Sequence, residues 1–480
     1  MAEKRRVCIY DPGTTLELSS GNVVDWREFL FVFNVENRVE NHHTVRYLKL
    51  SSFVYSLTNL TSLAVPYILK DTLLLSPAQV GLFSALCSAP SILKPVVTLI
   101  VPPSGRSVTL SACALVQTFA YLGIGLAVAK AGASSAPLVC GFMFAHSVAS
   151  SISMVIRDTL TVESAAGFSS DHEAHLLFTD LSMIQRIGLL PVSYLSGFLL
   201  NHISPGRLIL ISSIFPAIMA GAASTLYNEN NNRDFVDTKT QIARSVDVIA
   251  EPKNGLFSTV TGRGLLTCIV PSVSDAMFFF YTQELGLSPE FLGRFQFLGA
   301  VGGILGNAFS RSSMHAIDPR TVSNISTVLQ VPLFFSTVLI TSRVNLGISV
   351  SSFILARHFL IDFLGSLNSI PASVQLMKTA PKNAQGTYLA LVGTLSDIGG
   401  FANSIISSAT MTAYGIDRTH FSSITNMVIM CNTIYAGFVP ALFFYDDHEP
   451  CTTPIMVNDE AAEPQKIEEV DGEPSPTRDA

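Results

Sequence analysis

The sequence predicts an all-α membrane protein of twelve transmembrane helices, arranged as two pseudo-symmetric six-helix bundles. Three observations predict it. Of 480 residues, 48% are hydrophobic and only 14% are charged, against about 25% charged in an ordinary soluble domain. Apolar stretches near the roughly 20 residues that cross a bilayer recur along the whole chain. One short pattern also occurs twice, at the same place in each half.

Taken in order, the apolar segments lie near residues 50–69, 79–101, 108–129, 136–159, 176–200, 207–227, 264–284, 291–310, 321–342, 348–377, 386–413 and 420–445. Turn residues separate them: Ser76-Pro77, Pro102-Pro103, Ser204-Pro205-Gly206, Ser288-Pro289 and Pro381. The largest internal gap, 228–263, contains NENNNRDF and reads as a cytoplasmic linker between bundles 50–227 and 264–445. Residues 1–49 form an N-terminal segment. Its leader, MAEKRRVCIYDPGTTLELSS, has no apolar core before a small-residue cleavage site, so no secretory signal is expected. Residues 446–480 hold Asp446, Asp447, Glu449 and further acids together with prolines, and read as a disordered acidic tail.

Basic residues set the orientation. With the N-terminus cytoplasmic, inward segments before the tail hold eighteen Lys or Arg and outward loops hold six: Lys70, Lys130, Arg207, Arg294, Arg343 and Arg418. Both termini are therefore expected in the cytoplasm, with the plasma membrane as the default location. The repeated pattern is LSPAQVGLF (75–83) and LSPEFLGRF (287–295), which share Leu-Ser-Pro-x-x-x-Gly-x-Phe at an offset of 212 residues. Ser caps a helix and Pro takes its first position in each. One common cap used twice is the simpler account. The equivalent place in each half favours a duplicated six-helix unit. Halves related by an axis along the membrane normal are the major facilitator arrangement, with the substrate site between them near the midplane.

Several function classes are disfavoured. No basic patch with interleaved aromatics points to nucleic acid. Cys8, Cys87, Cys113, Cys140, Cys268, Cys431 and Cys451 are scattered without a CxxC and read as small buried residues, so neither a disulfide framework nor a metal site is expected. His42-His43 reads as surface. No GxSxG, HExxH, P-loop or Rossmann fingerprint stands in a suitable context, so no enzyme and no cofactor is expected.

Charges inside the spans carry the functional signal. Lys94, Arg186, Asp275, Arg357, His358, Asp362 and Asp397 lie away from span ends. A charge at a helix centre costs about 2.5–3.5 kcal/mol on insertion scales. Six facing lipid would cost roughly 15–20 kcal/mol, more than the usual stability of a domain. They must face the bundle interior, pair, or line a wet cavity. Lys94, in APSILKPVV with Pro95 breaking the helix behind it, is either a structural ion pair or an anchor for an anionic substrate. Arg186 has the same two readings, with a guanidinium suited to a carboxylate. Asp158 and Glu163 end the fourth span, as a solvated helix end, a gate, or a proton acceptor. His358 and Asp362 share a helix face, as a local pair or a proton relay. Asp397 lies among small residues and bonds a neighbouring backbone or takes part in the site. In SDAMFFFYTQELGLSPEFLG, Pro271, Asp275, Phe278 or Phe279, and Thr282 fall on one helix face. Phe280 and Tyr281 point toward neighbours or the outer interface. A carboxylate beside an aromatic ring is a cradle for a flat heterocycle with an amino-lactam edge. Helix packing alone is the competing account of the rings.

The motif PSVSDAMFFFYTQELGLSPEFLG, from Pro271, resembles the folate–biopterin transporter family of the major facilitator superfamily. The resemblance extends over about 50–445. ILKDTLLLSPAQVGLFSALCSAPSILKP places Lys70, Asp71, Lys94 and Pro95 in the family pattern. RDTLTVESAAG places Asp158 and Glu163. PKNAQGTYLALVGTLSDIGG matches the eleventh span, Asp362 an acid in the tenth, and Arg186 an arginine in the fifth. The family's Arg after the fourth-span glutamate is Ser164 here, its Glu before Ala-Thr is Gln385, its Asn in the eleventh span is Asp397, and PPSGRS keeps only Gly105 and Arg106 of a longer loop. The resemblance implies folate or pterin uptake by alternating access with proton symport. Lys94, Asp158, Arg186, Asp275, Phe278, Phe279 and Thr282 would then bind substrate. Glu163, Arg357, His358, Asp362 and Asp397 would serve coupling or gating. A transporter of another solute, such as a nucleoside, amino acid or drug, and a non-transporting scaffold working through the acidic tail remain the rival readings.

Overall fold

The computed structural model describes residues 42–101, 105–131, 135–166, 171–226, 270–313, 319–344, 347–378 and 385–444, and every regular element among them is helical. Each of the twelve predicted windows holds helix. Seven stretches are long and apolar enough to cross a membrane: Pro77–Val97, Arg106–Lys130, Ala136–Ala165, Asp180–Leu200, Pro205–Leu226, Thr321–Thr341 and Val350–Ser369. The predicted linker 228–263 and tail 446–480 lie outside the described residues, as does most of 1–49.

The first helix, α1 (His42–Leu57), starts upstream of the apolar segment predicted near Lys49. Val45 and Leu48, one turn apart, are buried in a cluster with Leu110, Ile156 and Leu181, so tertiary packing extends the helix beyond its apolar run. The span continues through a 3-10 turn (Thr58–Thr61), α2 (Ala64–Tyr67) and a π-helical turn (Ile68–Thr72). Lys70, expected in an outward loop, lies instead inside that π-turn. It is 5% exposed, pairs with Asp71 at 3.1 Å and sits 5.2 Å from the centre of the Tyr67 ring.

The second span opens at α3 (Pro77–Ser88). Ser76 and Gln79 form a reciprocal capping box and Pro77 takes the first helical position, where a missing N–H costs nothing. A 3-10 segment (Ala89–Leu93) leads into α4 (Lys94–Ile100). The irregularity thus precedes Lys94 rather than following it, because the Pro95 ring interferes with the turn on its N-terminal side. α5 (Arg106–Ala131), α6 (Ala136–Ala166), α7 (Asp171–Leu200), and the paired α8 (Pro205–Ser212) and α9 (Ile214–Ala223) complete the first half. The α8–α9 break at Ser213 follows from Pro216, which lacks the N–H that would bond the Ser212 carbonyl.

The second half comprises α10 (Ser274–Phe279), a π-turn (Phe280–Glu284), α11 (Pro289–Ser313), α12 (Pro319–Phe335), α13 (Thr337–Thr341), α14 (Val350–Lys378), α15 (Gln385–Ala413) and α16 (Ile424–Phe444). The break after Phe335 orphans helix carbonyls. Leu333 O accepts from Arg357 Nε at 2.9 Å, and Phe334 O from Asn432 Nδ2 at 2.8 Å.

The sequence repeat is also a repeat of backbone. The π-turns Ile68–Thr72 and Phe280–Glu284 are 212 residues apart. Leu73 N bonds Ile68 O at 2.8 Å, as Leu285 N bonds Phe280 O at 3.0 Å. Leu75 N bonds Leu69 O at 3.0 Å, as Leu287 N bonds Tyr281 O at 2.9 Å. Leu74 (φ 58°) and Gly286 (φ 61°) make the same left-handed step.

These two hairpins lie at the end of the bundle where the halves meet. Ser408 Oγ on α15 donates to Ala78 O at 2.7 Å. On the other seam a Cβ on Gly197 of α7 would fall 2.7 Å from the Gly293 Cα of α11, so these backbones touch only as glycines. Arg418, between α15 and α16, donates to the Lys70 carbonyl at 3.1 Å. Contacts therefore close the end at which the outward loops were expected.

Candidate functional site

Toward the opposite end lies a cavity of about 290 Å³ between α1, α6, α7 and α14. Tyr55 of α1, Arg157 and Asp158 of α6, Phe178, Ser182 and Gln185 of α7, and Ser369 of α14 line it. Asp158 is exposed within it. Asp158 thus opens into a chamber lined by polar groups, the setting in which a carboxylate persists in a membrane protein. The Arg157 guanidinium lies over the Tyr55 ring, 4.3 Å from its centre, which holds the cation by its attraction to the π face. Beside the cavity, Asn307 Nδ2 of α11 donates to Ser182 Oγ at 3.0 Å and ties the halves together.

Asp158 interacts electrostatically with Arg157, Lys94 and Asp397. Lys94 Nζ and Asp397 Oδ2 are 2.7 Å apart, and the side chains are 8% and 25% exposed. The position of Lys94 follows from the 3-10 segment ahead of it, and that of Asp397 from α15 packing on α4 and α6. Asp397 thus has a lysine partner from the other half, not merely the backbone bond considered for it. Tertiary packing opposes two charges that sequence places far apart.

A second group forms around α11. His358 Nε2 and Asp362 Oδ2, both on α14, are 3.3 Å apart. The His358 ring stacks on Phe295 of α11 with centroids 3.6 Å apart and planes within 3°. Gly299 makes room for them, since a Cβ there would lie 2.6 Å from His358 Nε2. Arg186 of α7 packs against Gly303 and interacts electrostatically with Asp362. Arg357 faces the α12 break, where it serves the Leu333 carbonyl. Glu163 forms a two-pronged pair with Arg106, at 2.8 and 3.0 Å, joining the end of α6 to the start of α5.

Asp275 stands apart from both groups. A Cβ on Gly81 of α3 would lie 3.5 Å from Asp275 Oδ2, with Ser408 and Met411 of α15 adjacent. Asp275 makes no hydrogen bond or ion pair among the described residues. Gly81 and Lys94, or Asp397 and Ser408, are separated by 11 to 13 residues, so Asp275 lies roughly 16–20 Å along the seam from the Lys94–Asp397 pair. The structure therefore does not bring Asp158 and Asp275 onto one edge of a small ring.

The aromatic run is mostly packed. Phe279, Phe280 and Tyr281 are buried and Phe278 partly exposed. Phe278 meets Tyr67 edge-on at 5.4 Å, and Phe280 meets Phe421 edge-on at 5.9 Å. Phe280 thus packs on the segment between α15 and α16 and Tyr281 on Phe295 of α11, not on an outer interface belt. Thr282 spends its hydroxyl on Phe278 O at 2.9 Å. The rings that do line the cavity, Tyr55 and Phe178, were not singled out from sequence. A signal existed: Ser51 with Tyr55, Asp158 with Thr161, and Ser182 with Gln185 are polar residues at helical spacing within apolar helices.

The all-helical fold and its paired halves define an integral membrane protein of the major facilitator fold. Solved structures agree on the fold: a nucleoside transporter (TM-score 0.61, 11% identity, covering 85% of this chain and 100% of that one) and a D-xylose-proton symporter (TM-score 0.62, 12% identity, 85% and 98%). The profile of the BT1 family matches residues 56–450, and the chain belongs to that family. Similar proteins include Folate transporter 2 of Plasmodium falciparum, 25% identical over 386 residues (78% of this chain, 82% of the relative). Another is the Folate-biopterin transporter of Synechocystis, 28% identical over 410 residues (81% and 80%).

Proposed function

We propose that this protein carries folate or a related pterin across a membrane by alternating access, coupled to protons. The observation that carries the reading is the cavity. It offers a carboxylate acceptor in Asp158, the rings of Tyr55 and Phe178, and polar donors in Arg157 and Gln185. Those groups suit a flat heterocycle with an amino-lactam edge: the carboxylate accepts its N–H donors and a ring stacks on its face. Ligand pockets usually measure about 300–1,000 Å³, so a chamber of about 290 Å³ suits the bicyclic ring, with a longer tail directed toward Lys94 or out of the mouth. The names of the similar proteins support the same substrate class.

In this reading Lys94 and Arg186 attract the carboxylates of a glutamyl tail. Asp275 serves the same path nearer the closed end, beside Phe278. His358–Asp362, Asp397 and Asp158 are the proton-binding candidates, and Arg106–Glu163 is a gate at the cavity end. Two bundles, 50–227 and 264–445, rock about the site. Both termini, the linker 228–263 and the tail 446–480 lie in the cytoplasm, and the plasma membrane is the default location. An end closed by Gly197–Gly293 and Ser408–Ala78 opposite a cavity is one of the two states such a cycle needs. The test is uptake of labelled folate and biopterin into proteoliposomes, with and without an imposed pH gradient, under competition by unlabelled pterins, nucleosides and amino acids. Pterins should compete and acid outside should drive accumulation. Uptake that no pterin inhibits would reject the substrate class.

A further inference from the structure

The pairing of Lys94 carries a consequence for coupling. Lys94 is a buried cation at the seam, and its ammonium is already held by Asp397 at 2.7 Å. Asp397 comes from α15 in the second half, and Lys94 from α4 in the first. Asp158 adds a second carboxylate that interacts with both and lines the cavity, and Arg157 beside it supplies a second cation. Asp397 thus meets Lys94 of α4 and Asp158 of α6, and α15 carries no other charged residue within its described span. The Lys94–Asp397 pair is therefore balanced at one cation and one anion, with Asp158 a second carboxylate near it. A substrate carboxylate reaching Lys94 would bring in a third anion. Carboxylates sharing one low-dielectric site do not all remain ionised.

We propose that Asp397 is an internal stand-in for the substrate's carboxylate, so that one proton enters with each carboxylate that takes its place on Lys94. The inference rests on the folate–pterin reading above and adds the stoichiometry of its coupling. In the empty site, Lys94–NH3+ pairs with Asp397–COO−. An incoming carboxylate forms its own ion pair with Lys94, and the bond from Lys94 to Asp397 breaks. Asp397 takes one proton from cavity water and becomes a neutral carboxylic acid. Lys94 keeps its proton throughout. On release the carboxylate departs, Asp397 returns its proton to water and pairs with Lys94 again. The local charge is the same before and after each exchange. A pterin without a carboxylate never displaces Asp397, and its binding takes up no proton at this pair.

The experiment measures proton uptake on binding, with the purified full-length chain in weakly buffered detergent at about pH 7, where a free carboxylate is ionised. Folate and biopterin are the probes, sharing a ring but differing in carboxylates. A pH-indicator dye reads the protons, and equilibrium dialysis reads the bound ligand. The wild-type chain should take up one proton more for each folate bound than for each biopterin. Asp397→Asn, which keeps size and a hydrogen-bonding oxygen, should bind folate with one proton fewer than the wild type. Folate binding by the wild type without proton uptake, or undiminished uptake in Asp397→Asn, overturns the inference while leaving the transport reading intact. Equal uptake with biopterin also overturns it. Binding of neither ligand overturns the transport reading and this inference together. Should Asp397→Asn fail to fold, the wild-type comparison of the two ligands decides alone.

Discussion

Lys94 and Asp397 meet at 2.7 Å across the seam between the two halves, with the lysine side chain 8% exposed. Removing one partner of a buried pair leaves an uncompensated charge and costs about 3–5 kcal/mol. Lys94→Ala should therefore lower the melting temperature in detergent sharply, and Lys94→Ala with Asp397→Ala should recover most of the loss. Strictly additive losses would show that the two residues are not coupled. Lys94→Ala should also weaken folate uptake more than biopterin uptake; equal losses would assign Lys94 a purely structural role.

Asp158 is the carboxylate exposed in the cavity. A hydrogen bond to a charged group is worth about 1.5–3 kcal/mol, or roughly a factor of ten to a hundred in affinity. Asp158→Asn should raise the KM for pterin uptake by at least about tenfold with normal expression. Unchanged kinetics would remove Asp158 from the binding site.

Asp275 has no partner among the described residues at the junction of α3, α10 and α15. With no cation paired to it among the described residues, neutralising it breaks no ion pair. Asp275→Asn should abolish uptake while leaving the melting temperature unchanged or raised. Wild-type transport by this variant would take Asp275 out of the substrate path.

Gly197 and Gly293 let α7 and α11 touch backbone to backbone at the closed end. Gly197→Val should force the helices apart there. Overpacking of this kind costs about 1–3 kcal/mol, enough to shift an open-to-closed ratio by about tenfold. A cysteine placed at Glu290, beside the seam, should react faster with an impermeant maleimide in the Gly197→Val background. An unchanged rate would mean that this crossing does not control the closed end.

Leu74 adopts φ 58° and is 53% exposed, where Gly286 fills the equivalent place in the second hairpin. A left-handed non-glycine residue costs roughly 1–2 kcal/mol, and little packing is lost with this side chain. Leu74→Gly should stabilise the protein by about 1 kcal/mol in thermal melts. Destabilisation would show that the Leu74 side chain contributes packing that outweighs the backbone strain.

The helical class, the twelve windows and the repeat at 212 residues were legible because each depends on local chemistry: apolar run length, a Ser-Pro cap, and identical spacing. The same chemistry hid the ends of helices. Lys70 reads as a loop charge until a π-turn carries the helix past it, and α1 begins at His42 because Val45 and Leu48 find partners on other helices. The intramembrane charges were also legible as unfit for lipid. Their partners were not.

The sequence by itself determined that this chain is a duplicated helical membrane protein with ionisable groups held away from lipid. Only the tertiary structure decided that Lys94 pairs with Asp397, that Asp158 opens into a chamber with Tyr55 and Phe178, and that Asp275 lies elsewhere on the seam. The physical reason is that lipid and protein core are both apolar. Periodicity along a membrane helix therefore marks its buried face weakly, and which charges meet depends on how the two halves are docked.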